Sequence, residues 1–144
     1  MPALLFLLAG WNAAIFLLLG LLHVYWAFGG KWGFASAIPT EESGKKIILP
    51  GTIASLIVAF GLLLFASITS SIIFPLVPSV IFTYKKILIY SIAALFGLRA
   101  IGEGNYVGFF RRARKTRFAS MDKKFYSPLC LYLSISSAIL GFFS

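Results

Sequence analysis

Four runs of apolar residues, each about as long as a lipid bilayer is thick, dominate this chain of 144 residues. An α-helix rises about 1.5 Å per residue, so about 20 apolar residues cross a hydrocarbon core of about 30 Å, and a helix satisfies its own backbone there. The runs extend from about Ala3 to Phe28, Ile47 to Phe74, Ile87 to Phe110 and Ser127 to Phe143. Composition agrees: 60% of residues are hydrophobic and 12% charged, about half the charge of a soluble domain. The expected fold is an all-α polytopic membrane protein, a single domain over residues 1–144 arranged as an antiparallel four-transmembrane-helix bundle with short loops.

Local signals refine the spans. Pro50 and Gly51 lie near the start of the second run, which is long enough to tilt. Ser127 and Pro128 suit the N-cap and first turn of the fourth. The Pro75–Pro78 segment connects the second and third spans, with a re-entrant course as the alternative. Ala35-Ser36-Ala37 has the small-x-small form of a signal-peptide cleavage site. No Lys or Arg precedes Lys31, however, and the first apolar run far exceeds the apolar core of a signal peptide, so the first span is expected to be retained. Cys130 is the single cysteine; it excludes an intramolecular disulfide and reads as a small packing residue.

Positive charge sets the expected orientation. Lys31, Lys45 and Lys46 in the first loop and the seven cations between Arg111 and Lys124 in the third face only Lys85 and Lys86 in the second. The imbalance places loops 29–46 and 111–126 in the cytoplasm and both termini outside. Beside a membrane, the Arg111–Lys124 cluster sets topology and attracts anionic lipid headgroups, so membrane lipids are the expected partners. No nucleic-acid partner is expected, because a reader of bases needs aromatic or groove-reading elements on a soluble surface. Small residues at four-residue spacing, Gly10 and Ala14 in span one, Gly51, Ser55 and Ala59 in span two, and Ala100, Gly104 and Gly108 in span three, mark the faces expected to pack. Ser134 and Ser137 on span four are placed to add weak polar contacts.

Ionisable groups within spans are costly and carry the functional hypothesis: His23 in the first, Arg99 and Glu103 in the third. His23 and Glu103 lie at similar depth, roughly 8–10 Å below the inner ends of their spans. Asn12 shares the His23 face, and Trp26 and Tyr106 flank the inner mouth, giving a candidate ligand site of Asn12, His23, Trp26, Arg99, Glu103 and Tyr106. Each member also has a structural reading. Arg99 and Glu103, four apart, can form an ion pair; His23 can bond a backbone carbonyl; Asn12 can bridge helices. No cofactor is expected. One histidine cannot ligate haem from both sides, the His, Cys and carboxylates make no tetrahedral zinc set, and no nucleotide-binding glycine loop is present.

The stretch His23-Val24-Tyr25-Trp26-Ala27-Phe28-Gly29-Gly30-Lys31-Trp32-Gly33, and the stretch from Arg99-Ala100-Ile101-Gly102-Glu103-Gly104 through Tyr106 and Asp122 to Tyr126-Ser127-Pro128-Leu129-Cys130, resemble the two motifs of an uncharacterised family of small four-span bacterial membrane proteins, catalogued as a domain of unknown function. The resemblance implies a bacterial inner-membrane protein and identifies no reaction. Two function classes remain open. One binds or transfers a small polar molecule or lipid headgroup among His23, Arg99 and Glu103, with a lipid-modifying enzyme as its sharper form. The other is a structural or accessory subunit of a membrane complex. Homo-oligomerisation is also left open, and no catalytic motif decides whether the chain is an enzyme.

Overall fold

The computed structural model describes residues 2–41, 43, 45–46, 50–74 and 78–144, with the side chains of Pro2 and Phe82 left aside. Its elements are helical: α1 (Pro2–Ala27), α2 (Phe34–Ala37), α3 (Thr52–Ser70), α4 (Ser79–Ile101), α5 (Arg117–Met121), a π-helical turn (Asp122–Tyr126) and α6 (Ser127–Phe143). Among the described residues, three continuous helical stretches, Ala3–Ala27, Thr52–Ser70 and Arg117–Phe143, are long and apolar enough to cross a membrane. Helix α4 is also long, at 23 residues, but Lys85, Lys86 and Arg99 confine its uncharged stretch to residues 87–98. The start of the second expected span and most of the Pro75–Pro78 connection lie outside the described residues.

The helices associate as two close pairs, α1 with α3 and α4 with α6. In the first pair Gly10 sits against Ile73 and Gly20 against Leu63 and the Ala59 carbonyl, so the two helices run in opposite senses. In the second, Gly97 lies against Ser134 and Gly141 against the Tyr90 ring, again in opposite senses. Close backbone approach at small residues is how apolar helices gain packing energy when lipid is as apolar as they are. The pairs meet in a core where Phe16 of α1, Phe65 of α3 and Phe96 of α4 pack at ring distances of 5.4–6.1 Å. Asn12, fully buried, donates to the Ser136 hydroxyl at 2.8 Å and ties α1 to α6, while Ser134 donates to the Ala93 carbonyl at 2.7 Å. The outward faces are apolar: Leu4, Leu7, Ile53, Phe60, Leu98 and Phe142 are exposed. A surface of that kind fits a hydrocarbon surround.

The helices of the third and fourth spans differ from the sequence expectation at their boundaries, and the third begins at Ser79 rather than near Ile87, carrying Lys85 and Lys86 on the helix. The third expected span, residues 87–110, ends as a helix at Ile101. Gly102, Gly104 and Gly108 take positive φ of 81°, 86° and 87°, and the chain doubles back so that the Phe109 amide donates to the Ala100 carbonyl at 2.9 Å. Ala100, Gly104 and Gly108 are therefore not one helical stripe; the glycines break the helix and permit a backbone crossing at which Gly102 and Gly108 touch. The fourth expected span does not begin at Ser127 either. Helical structure starts at Arg117, capped by the Thr116 side chain, which accepts from the Ala119 amide at 3.0 Å. It passes through the π turn, with the Ser127 amide bonded to the Asp122 carbonyl. Pro128 has no amide to give to a carbonyl four residues back, and the widened turn before it relieves the clash that its ring would otherwise make.

The glycine crossing predicts a contrast. A Cβ on Gly102 would fall on the Val107 carbonyl, whereas one on Gly104 meets nothing within 4 Å. Gly102→Ala should therefore lower stability by about 3 kcal/mol or more and Gly104→Ala by only about 1 kcal/mol, the cost of its backbone conformation. Thermal unfolding of the purified protein in detergent measures both.

Candidate functional site

The turn after α1 is built by its glycines. Gly29, at φ 88°, lets the Gly30 amide reach back to the Tyr25 carbonyl at 2.9 Å and the Gly29 amide to the Trp26 carbonyl at 3.0 Å, a Schellman cap. The chain then returns so that Trp26 donates from Nε1 to the Trp32 carbonyl at 2.8 Å, and Gly33, at φ 74°, starts α2. Trp26 is thereby fixed edge-on to His23, ring centroids 4.9 Å apart, and to Phe34 at 5.8 Å. His23 Nδ1 lies 2.8 Å from the Leu19 carbonyl oxygen. A carbonyl can only accept, so Nδ1 carries the proton and Nε2 is left as the acceptor or base.

Facing these rings is a mostly apolar slot of about 560 Å³ between α1, α2 and the α5–α6 stretch. Its ionisable wall residues are His23, Arg99, Tyr126 and Cys130; Leu22, Phe125 and Leu129 supply apolar wall. On the other side of His23 and Trp26 a cavity of about 140 Å³ lies against Ser55 and Val58 of α3, so the two rings form a partition.

Arg99 reaches the slot because of Asp122. The Asp122 carboxylate, fully buried, accepts from Arg99 Nη2 at 3.0 Å, from Arg111 Nη1 at 3.1 Å and from the Gly108 amide at 2.8 Å. Arg111, 5% exposed, also donates to the Gly108 carbonyl at 2.6 Å and the Ala119 carbonyl at 2.5 Å. One carboxylate between two guanidiniums leaves the cluster one charge positive. Arg99 Nη1, itself buried, has no hydrogen-bond partner in the protein. The slot is thus bordered by Arg99, whose buried Nη1 has no partner in the protein, and by His23, whose ring is held through Nδ1.

The structure brings His23, Trp26 and Arg99 to one cavity and leaves the other sequence candidates elsewhere. Arg99 does not pair with Glu103. Because α4 stops at Ile101, Glu103 is not one helical turn beyond Arg99; it is exposed, and its carboxylate accepts from the Tyr106 amide at 2.5 Å. Tyr106 borders a separate recess with Glu41 and Arg112. Glu103 therefore does not border the slot with His23, and Asn12 is a helix–helix tie. Sequence reasoning missed Asp122 and Arg111 as structural partners. The available signal was one acid among the seven cations of its loop, in a chain with four acidic residues in all. Among the described residues, no group of three His, Cys, Asp or Glu side chains is placed to hold a metal ion.

A family described as "Protein of unknown function (DUF3995)" matches residues 16–137. The chain belongs to the DUF3995 family. The matched region runs from the middle of α1 into α6 and includes every residue of the slot and of the Asp122 cluster. Comparison with curated proteins and with solved structures gave no match.

The Asp122 cluster predicts a clear ordering of stabilities. Asp122→Ala strands a buried guanidinium and should cost about 3–5 kcal/mol, while Glu103→Ala removes one exposed hydrogen bond and should cost about 1 kcal/mol or less. Chemical or thermal unfolding of the two variants checks this. Equal losses would restore Glu103 as the partner of Arg99.

Proposed function

We propose that the protein is a bacterial inner-membrane protein of four antiparallel spans whose slot binds one amphipathic molecule. Its apolar body would lie among Leu22, Phe125 and Leu129, its anionic or carbonyl-bearing head against Arg99, and a hydroxyl or other donor of the same molecule against His23 Nε2. The supporting observation is the slot itself: its volume falls in the range of small-molecule sites, and Arg99 keeps a buried nitrogen without a protein partner at its wall. In an apolar surround such a donor gains most from a charged acceptor. Helix α4 supplies the fourth span in this reading. It is about 35 Å long at 1.5 Å per residue, its outward residues Ile87, Leu95 and Leu98 are apolar, and Lys85 and Lys86 near its start can extend toward headgroups. The charge imbalance of the loops then puts both termini outside. The accessory-subunit reading treats the same residues as packing.

Native mass spectrometry of the protein, extracted with minimal washing, tests the binding reading. The wild type is expected to carry a bound small molecule. Ala37→Phe, which fills the slot from α2, should lose most of it with little change in melting temperature. A protein without such a molecule but with a stoichiometric protein partner would favour the accessory subunit. For orientation, a reporter fused after Ser144 should be active outside the cytoplasm; activity inside would reverse the topology.

A further inference from the structure

The face of the α5–π turn that looks away from the slot holds a second concavity, about 360 Å³, bordered by Phe109, Arg111, Arg114, Ser120, Lys123 and Lys124. Four of these are cations, and no acid borders it. Acids elsewhere are engaged. Asp122 is taken by Arg99 and Arg111, Glu103 by the Tyr106 amide and Glu41 by the Ser43 hydroxyl; Glu42 lies outside the described residues. Arg114, Lys123 and Lys124 form no ion pair among the described residues. Arg111 gives a second, independent sign. Its Nη1 and Nη2 are spent on protein oxygens, but its buried Nε has no partner. Gathering like charges around one hollow costs energy unless an anion enters, and a buried donor without an acceptor costs more.

We propose that this concavity is a phosphate-binding site, with Arg114, Lys123 and Lys124 surrounding the anion, Ser120 offering a hydroxyl and the buried Arg111 adding positive charge beneath them. The chemistry fits a tetrahedral, multiply charged oxyanion, supplied either by a phospholipid headgroup or by free phosphate. The site is separate from the slot and does not depend on the function proposed for it.

The test uses the full chain in detergent, with lipid adducts counted by native mass spectrometry. The probes are phosphatidic acid and phosphatidylcholine, each with and without inorganic phosphate as competitor. Wild type should retain phosphatidic acid over phosphatidylcholine by at least about tenfold. The variant R114Q/K123Q/K124Q should lose that preference, whereas K31Q/K45Q/K46Q, with the same charge removed from the first loop, should keep it. Melting temperatures of both variants serve as the folding control. Competition by millimolar phosphate with a measurable phosphate adduct identifies the free anion as the occupant; no competition identifies the lipid headgroup. Equal losses in the two triple variants would show a diffuse charge effect and overturn the site, as would an unchanged preference in R114Q/K123Q/K124Q.

Discussion

The carboxylate of Asp122 joins three parts of the chain at one point, beside the backbone bond from Phe109 to Ala100 and the Arg111 bond to the Ala119 carbonyl. It takes a guanidinium from the last turn of α4, a guanidinium and a backbone amide from the loop after it, and stands itself at the start of the π turn. Burying one carboxylate costs several kcal/mol, and only several charge-assisted bonds at once offset that. The cluster supplies three. The loop can double back because its glycines allow it, but Asp122 gives it a reason to stay, and the same bonds hold Arg99 at the wall of the slot.

That dependence explains which features could be read from the sequence. The first and second apolar runs became α1 and α3 because nothing in them competes with the helix. The third run continues to Phe110 in hydropathy, yet the helix ends at Ile101, since a hydropathy scale treats glycine as neutral and does not register the backbone conformation at Gly102. Once that helix was assumed to continue, the four-residue spacing of Arg99 and Glu103 made a false pair. Asp122, 23 residues from Arg99, has no local spacing rule to announce it. The extension of the last helix back to Arg117 was hidden for a similar reason: the basic residues read as loop, although Arg117, Lys123 and Lys124 lie on the helix and the π turn buries Asp122.

Of the expected site residues, the places of His23 and Trp26 in the fold were legible because both lie on an uninterrupted helix followed by a glycine cap, where position along the axis translates directly into place. Arg99 was legible as a costly charge but not in its partner. Glu103 and Tyr106 lie beyond Gly102, where helical arithmetic no longer applies. What results is a segment with two unlike faces. Phe118, Met121 and Phe125 border the apolar slot, while Ser120, Lys123 and Lys124 border the basic concavity. Membership of the DUF3995 family extends over both faces without naming a reaction, so the chemistry of the two hollows is the available guide to function.

The central claim is that Asp122 organises the loop between α4 and α5, and the Gly108 amide reports on it directly. That amide lies outside every helix, is buried, and donates to Asp122 Oδ2 at 2.8 Å. Hydrogen exchange resolved at this residue in the intact protein should show it protected to a degree comparable with helix amides, and released in Asp122→Ala while the middle of α1 remains protected. Exchange at the rate of an open loop in the wild type would contradict the account.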